Sequence, residues 1–408
     1  MKKLYVCIIS ILCLGFLSGC WDAVEYENMA MISAVGFDYN KETDEFTVTL
    51  QKESSAKDVP AGSGGTEPSV SSVGAVHSIT GKTIYEAITD SQSVITKKLF
   101  FGCTKTLMIG EDAAKYKLMD IVDLMGRTPS LRERVEIVIA KNAEETLSTV
   151  DYSKTSPSGT EISNLIKQSA NSGESCSADG QEFSEMLAIG GLEAVAPHIT
   201  SSSNEKTEAK GGVKDNVRSY EERIGNNLLD GIAVFKGDHF VGCLNDEESL
   251  GYSLITGQKV HLLKTALSSD NNSDFAYYYI KKIKSSVSVN VEGNQPTVDL
   301  KFSIIAELRK NMNGNEAEIL LPKELEELEK MLDDSVRVGI EAALNKCQKE
   351  YKSDVFGFGF KLFRENPKLW QEKYESEWDR IYPEIPVNIE ISSKIVDTGS
   401  DIRKFIVK

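Results

Sequence analysis

Two runs of strict alternation, a few residues apart, constrain this chain more than any other feature. Val287, Val289 and Val291 alternate with Ser286, Ser288 and Asn290; beyond a turn at Gly293 to Pro296, Val298, Leu300, Phe302 and Ile304 alternate with Asp299, Lys301 and Ser303. A period of two gives each run one apolar and one polar face, the mark of half-buried strands. Strands joined by so short a turn pair antiparallel, because a parallel pair needs a crossover of a dozen or more residues. Pro322 then opens a helix in which Leu325, Leu328, Leu332, Val336, Ile340, Leu344, Cys347 and Tyr351 recur at steps of three or four. That stripe is about 39 Å long at a rise of about 1.5 Å per residue. A further helical stretch carries Trp370 and Trp378, and Val387, Ile389 and Ile391 alternate in a closing strand. Strand pair, long helix and strand make an α+β unit with the helix over one sheet face.

The remainder of the chain predicts the same class. Met29 to Gly36 is an apolar strand, and Phe46, Val48 and Leu50 alternate beyond the polar turn Asn40 to Asp44, which predicts a hairpin. Ser54 to Gly74 is rich in Ser, Gly and Pro, an insert without a folded element of its own. A helix is expected to begin near Thr83, followed by a strand at Thr106 to Ile109, a helix from Asp112 to Met125, a strand from Val135 to Ala140 and a short helix from Ala143 to Val150. Residues 160–190 read as helical, and Ser201 to Ser219 as a linker. Gly231 to Phe235 and Phe240 to Leu244 flank the turn Lys236-Gly237-Asp238-His239, a second hairpin, and the acids Asp246, Glu247 and Glu248 suit the start of a helix. At about 150 residues per domain, 408 residues make about three. The expected division is 20–150, 151–257 and 258–408, each a mixed or antiparallel sheet flanked by helices, the last with the long helix 322–351.

The N-terminus carries a different kind of signal. Lys2 and Lys3 precede an uncharged apolar run from Leu4 to Leu17, and Leu17-Ser18-Gly19-Cys20 follows. The run is short of the about 20 residues that cross a bilayer, and small residues before a cysteine are what a lipoprotein signal peptidase accepts. Residues 1–19 read as a lipoprotein signal peptide and Cys20 as the lipidated residue. Two acyl chains on the Cys20 sulfur, at about 0.8 kcal/mol per buried methylene, suffice for stable attachment. Trp21 then lies at the depth aromatic side chains favour. Cleavage removes two lysines and no acid, leaving 44 basic against 62 acidic side chains and a net charge of −18. Such a surface repels nucleic-acid phosphates and anionic headgroups, so the anchor has to supply the membrane attachment. Of the 7 cysteines, only Cys103, Cys176, Cys243 and Cys347 could pair, in three ways. Their wide spacing suggests neither a stapled scaffold nor a zinc ribbon, and four free, mostly buried thiols are expected.

Enzyme chemistry finds little support. The 4 histidines, His77, His198, His239 and His261, lack metal-site spacing. Gly81-Lys82-Thr83 resembles the end of a phosphate loop, but Val76 stands where the first glycine belongs; Gly357-Phe358-Gly359 lacks the third glycine of a dinucleotide fingerprint, since position 362 is Leu. No Gly-x-Ser-x-Gly elbow occurs, and Asp246-Glu247-Glu248 suits a helix cap better than a cation site.

Two stretches carry a likeness. Cys20-Trp21-Asp22, Glu25 and the run from Met29 to Asp38 resemble the mature start of the Ger(x)C lipoproteins, the C subunits of spore germinant receptors. Gly231-Ile232-Ala233-Val234-Phe235-Lys236, Val241-Gly242, Glu248, Gly251, Gln348, Ser353-Asp354-Val355-Phe356-Gly357 and Trp370 resemble that family's C-terminal region in order and spacing. Cys103 departs from the family, which often has histidine there. The resemblance implies a three-domain α+β lipoprotein on the outer face of the spore inner membrane. It implies work beside two integral membrane subunits, A and B, in nutrient-triggered germination, with no catalysis and no cofactor. The rival reading is a solute-binding lipoprotein of an ABC importer. It suits the anchor and the length, but its lobes of alternating βα units do not suit the antiparallel pair at 286–304.

Overall fold

The computed structural model describes residues 24–53, 76–148, 158–170, 173, 175–201, 227–266, 275–293, 295–311 and 322–397. The signal segment, Cys20, the whole insert at 54–74 and most of the linker at 201–219 lie outside the described residues. Two sheets organise the rest. In the first, β1 (Met29–Asn40) and β2 (Glu45–Lys52) form the expected hairpin, Asn40 facing Glu45, and β3 (Val76–Gly81) adds to β2. Then α1 (Ile84–Asp90) starts at Thr83, whose side chain accepts the Glu86 N–H, and β4 (Lys98–Phe100) lies parallel beside the start of β1. Next come β5 (Thr106–Gly110), α2 (Glu111–Tyr116), α3 (Leu118–Arg127), β6 (Glu136–Ala140), α4 (Ala143–Ser148), α5 (Ser158–Ala170), α6 (Gly180–Ala188) and β7 (Val195–Ser201). β1, β5, β6 and β7 run parallel, then β8 (Asn227–Lys236) and β9 (His239–Leu244) return antiparallel as the second predicted hairpin.

Burial explains the parallel centre. Every residue of β5 and β6 is buried, because helices cover both faces. Ile84, Ala113, Ile121 and Phe183 pack on one face with Leu107, Ile109, Ile137 and Ile139; Leu147, Ile162 and Ile166 pack on the other with Met108, Val138 and Ile199. The division expected at residue 150 falls inside this sheet, whose ladder continues through β7, β8 and β9.

After α7 (Asp246–Thr256) the second sheet has the order β10 (Leu262–Ala266), β11 (Phe275–Glu292), β12 (Gln295–Asn311), β13 (Val387–Asp397). The alternating runs do pair antiparallel, and the ladder reaches well past them, from Glu292–Gln295 to Ala276–Asn311. α8 (Pro322–Leu344) lies over one face, with Leu328, Leu332, Val336, Ile340 and Leu344 in a core that also takes Val298, Leu300, Phe302 and Ile304. β13 pairs parallel with β12, the geometry a helical crossover permits.

Three expectations need correction. The helix predicted from Asp112 to Met125 breaks at Lys117, which leaves helical geometry (φ −141°, ψ 23°) and is held by Asp44 at 3.4 Å and by the Tyr39 ring. Residues 160–190 hold two helices, and the second starts at a capping box in which Asp179 accepts the Glu182 N–H and Glu182 reaches back to Asp179. The stretch bearing both tryptophans is a chain of short turns after α9 (Phe358–Glu365), including a π turn at Trp370–Tyr374.

Candidate functional site

The residues that carry the C-terminal likeness converge on the joint between the two sheets. α8 runs into a π turn, Asn345–Glu350, whose wider winding turns both Cys347 and Gln348 inward. The Gln348 amide donates to the carbonyls of Tyr382 (2.9 Å) and Ile385 (2.8 Å), tying the end of the helix to the last turns before β13. Lys352 takes a left-handed conformation (φ 54°) and the chain reverses. Ser353 Oγ then donates to the Phe235 carbonyl in β8 at 2.5 Å, and the Asp354 carbonyl accepts the Glu193 N–H at 3.1 Å.

Asp354 is the centre of the joint. Its buried carboxylate accepts the N–H groups of Phe358 (3.1 Å) and Gly359 (2.8 Å) at the start of α9 and the indole N–H of Trp378 (2.9 Å). Burial outweighs these donors and pushes its pKa up to about 6. Gly357 can open α9 because glycine accepts its φ of +69° without strain. Gly191 (φ +77°) meets Gly359 and Trp370 so closely that a Cβ there would overlap them, and its carbonyl accepts the Phe360 N–H at 2.8 Å. Lys236 pairs with Glu193 at 3.3 Å and with Asp379. Nearby, the Tyr351 hydroxyl donates to the Cys243 carbonyl at 3.0 Å over Gly242, and α7 crosses α8 at Gly251 against Gly339. Cys176, Val195, Ile232, Val234, Leu244, Tyr252, Cys347 and Val355 form the apolar filling.

The residues singled out for other chemistry do not come together. Thr83 and Asn245 cap helices, Asn245 in a capping box with Glu248, and Lys82 pairs with Glu45 at 3.2 Å. His77 lies in β3, His239 opens β9 beside Asp238 and His261 lies against Tyr279. His198 is buried in β7, its Nε2 3.1 Å from Glu111 Oε1. Among the described residues no group of three or more His, Cys, Asp or Glu is arranged to hold a metal ion, and no helix is long and apolar enough to cross a membrane. Cys103, Cys176, Cys243 and Cys347 are free thiols; burial raises the last three, Cys243 to about 12, so they stay protonated at neutral pH.

Sequence reasoning missed the roles of three residues. Asp38, at the end of the N-terminal likeness, crosses β5 where Gly110 leaves room and accepts the N–H groups of Ala143 and Glu144 at 2.8 Å, capping α4. Gly191 and Glu193 sit in a stretch whose Gly190-Gly191 pair was the available signal.

Comparison with known proteins agrees with this map. Residues 22–201 match the family described as spore germination protein N-terminal domain, and residues 230–399 that described as spore germination B3/GerAC like, C-terminal. Spore germination protein KC of Bacillus subtilis (strain 168) is 26% identical over 417 residues, covering 98% of this chain and 97% of its own. Spore germination protein B3 of the same organism is 22% identical over 388 residues, covering 94% and 95%. The crystal structure of the GerBC protein superposes with a TM-score of 0.55 over 89% of this chain and 96% of its own, at 16% identity, a likeness of fold. With both regions of the family present in order from residue 22 to residue 399, the chain belongs to the Ger(x)C family of spore germination proteins.

Proposed function

We propose that this chain is the lipid-anchored C subunit of a nutrient germinant receptor. Signal peptidase cuts before Cys20, a diacylglyceryl group on the Cys20 sulfur holds the protein to the outer face of the spore inner membrane, and the body works there beside the integral A and B subunits without catalysing a reaction. The observation that carries the reading is the order of parts: a lipobox ending at Cys20, then both regions of the germination family starting two residues later. The joint around Asp354 suits a subunit that has to keep its two sheets in one arrangement while partners bind.

Cells lacking the gene are expected to grow and sporulate normally. Their spores should respond poorly to the nutrient this receptor reads, yet germinate with a trigger that bypasses receptors. Germination rate against nutrient concentration, in deleted, restored and Cys20→Ala spores, is the measurement; the Cys20→Ala form should complement weakly. Loss of solute uptake in growing cells with intact germination would replace this reading with that of an importer.

A further inference from the structure

We infer that residues 24–28 and 94–98 form a tip seated on the lipid bilayer, so that the first sheet stands with the starting ends of its parallel strands toward the membrane. The inference rests on the reading of Cys20 as the anchor. Val24 is four residues from Cys20, and at about 3.3–3.6 Å per residue those residues span at most about 14 Å. The place where the described chain begins is therefore held close to the headgroups. What lies there follows from register: Met29 in β1 pairs parallel with Lys98 in β4, which carries the residues before each strand beyond the ladder side by side.

The tip has the composition of a membrane contact. Tyr26 is 67% exposed and Val94 57%, the two most exposed large apolar side chains among the described residues. Tyrosine is favoured at headgroup depth, and lysine keeps its ammonium in the headgroup layer while its stem lies along apolar surface. Lys97 and Lys98 have no ion pair among the described residues. Lys52 and Lys105 stand close to this end, as do Glu25, Glu27, Glu53 and the buried Glu136, whose N–H meets the Lys105 carbonyl, so charge is locally balanced. The opposite end of the same strands carries seven acids, Glu42, Asp44, Glu45, Glu111, Asp112, Glu144 and Glu145, against five lysines, Lys41, Lys82, Lys115, Lys117 and Lys141, and so stays net negative. An anionic surface thus repels the far end more than the tip, which turns the molecule the same way as the tether. A tether of at most about 14 Å, little more than one polypeptide layer of about 10 Å, keeps the tip against the surface in which Cys20 is inserted, and lipid is what that surface offers without a partner, which selects lipid as the occupant.

The test is amide hydrogen exchange on the full mature chain carrying its lipid, bound to vesicles of phosphatidylglycerol and phosphatidylethanolamine, against the unlipidated Cys20→Ala chain in solution. Intact mass is read first, because absence of the diacylglyceryl group overturns the anchor reading and this inference with it. With the lipid present, exchange at residues 25–28 and 93–98 is expected to slow by about fivefold or more, with residues 41–45 and 111–116 unchanged. Equal exchange at the tip overturns the seat alone and leaves the anchor standing. The double variant Tyr26→Ser, Val94→Ser changes only exposed side chains and should stay lipidated and vesicle-bound while losing most of the protection. Protection retained in that variant, or appearing only when membrane subunits are added, also overturns the inference, the latter by making the tip a protein contact.

Discussion

Asp354 shows how far one side chain can matter in this fold. Its carboxylate is surrounded by apolar groups, with Tyr382 and Cys347 the titratable neighbours and Trp378, Phe358 and Gly359 the donors. Because burial raises its pKa from 3.8 to about 6, the folded chain binds this proton more tightly than the unfolded chain. The stability it contributes is therefore full below about 3.8 and lost as pH rises through about 6. Urea denaturation of wild type and Asp354→Asn between about pH 4 and pH 7 should show the difference in stability moving against the wild type by at most about 3 kcal/mol. A difference that stays flat would mean that the carboxyl titrates normally. Asp354→Ala leaves three buried donors without an acceptor, with an expected cost of about 2–4 kcal/mol in the same assay. The motif gave the residue's identity, but its buried partner Trp378 lies 24 residues away and only the fold brings them together.

Among elements, α8 is the one whose role the periodicity predicted most completely. Leu332 is fully buried between helix and sheet, so Leu332→Asp should cost several kcal/mol and lower the melting temperature sharply; an unchanged melt would mean that the stripe faces outward. Its polar side has a task that periodicity does not reveal. Glu329 accepts the Ile395 N–H at 2.8 Å and Arg337 donates to the Ile389 carbonyl at 3.3 Å, so side chains two helical turns apart close the free edge of β13. An open edge of 11 residues would be a template for pairing with another chain. Glu329→Ala with Arg337→Ala is expected to leave the helix intact and to cause concentration-dependent association, visible by sedimentation. The break at Lys117 had no Pro or Gly to announce it, because its cause is a contact with the first hairpin.

Across the whole molecule, the two sheets are interlocked. The C-terminal family region begins at residue 230, so it supplies most of β8, all of β9 and α7 to the side of the first sheet, while Leu254 and Ile255 of α7 enter the core of the second. The helix crossing that ties them allows no side chain at Gly251, where a Cβ would overlap the Gly339 carbonyl and press on Ala343. Gly251→Ala should therefore separate α7 from α8 and lower the melting temperature, while Gly237→Ala, a turn position with open space around it, should cost only the strain of its positive φ. Equal effects would argue against a tight crossing.

The sequence by itself determined what local periodicity and end signals can encode: the antiparallel pairs, the apolar stripe of α8, the helix starts near Thr83 and at Asp246, and the α+β class. Its motif residues also marked the joint, although nothing in their spacing said that they meet. Tertiary structure alone decided that β7, β8 and β9 extend the first sheet, that β13 runs parallel to β12, and that Asp354, Gly191 and Trp378 share one buried centre. The physical reason is range. Hydrophobic period and capping act over a few residues and are written locally, whereas strand order and the partners of a buried carboxylate depend on which distant surfaces exclude water together.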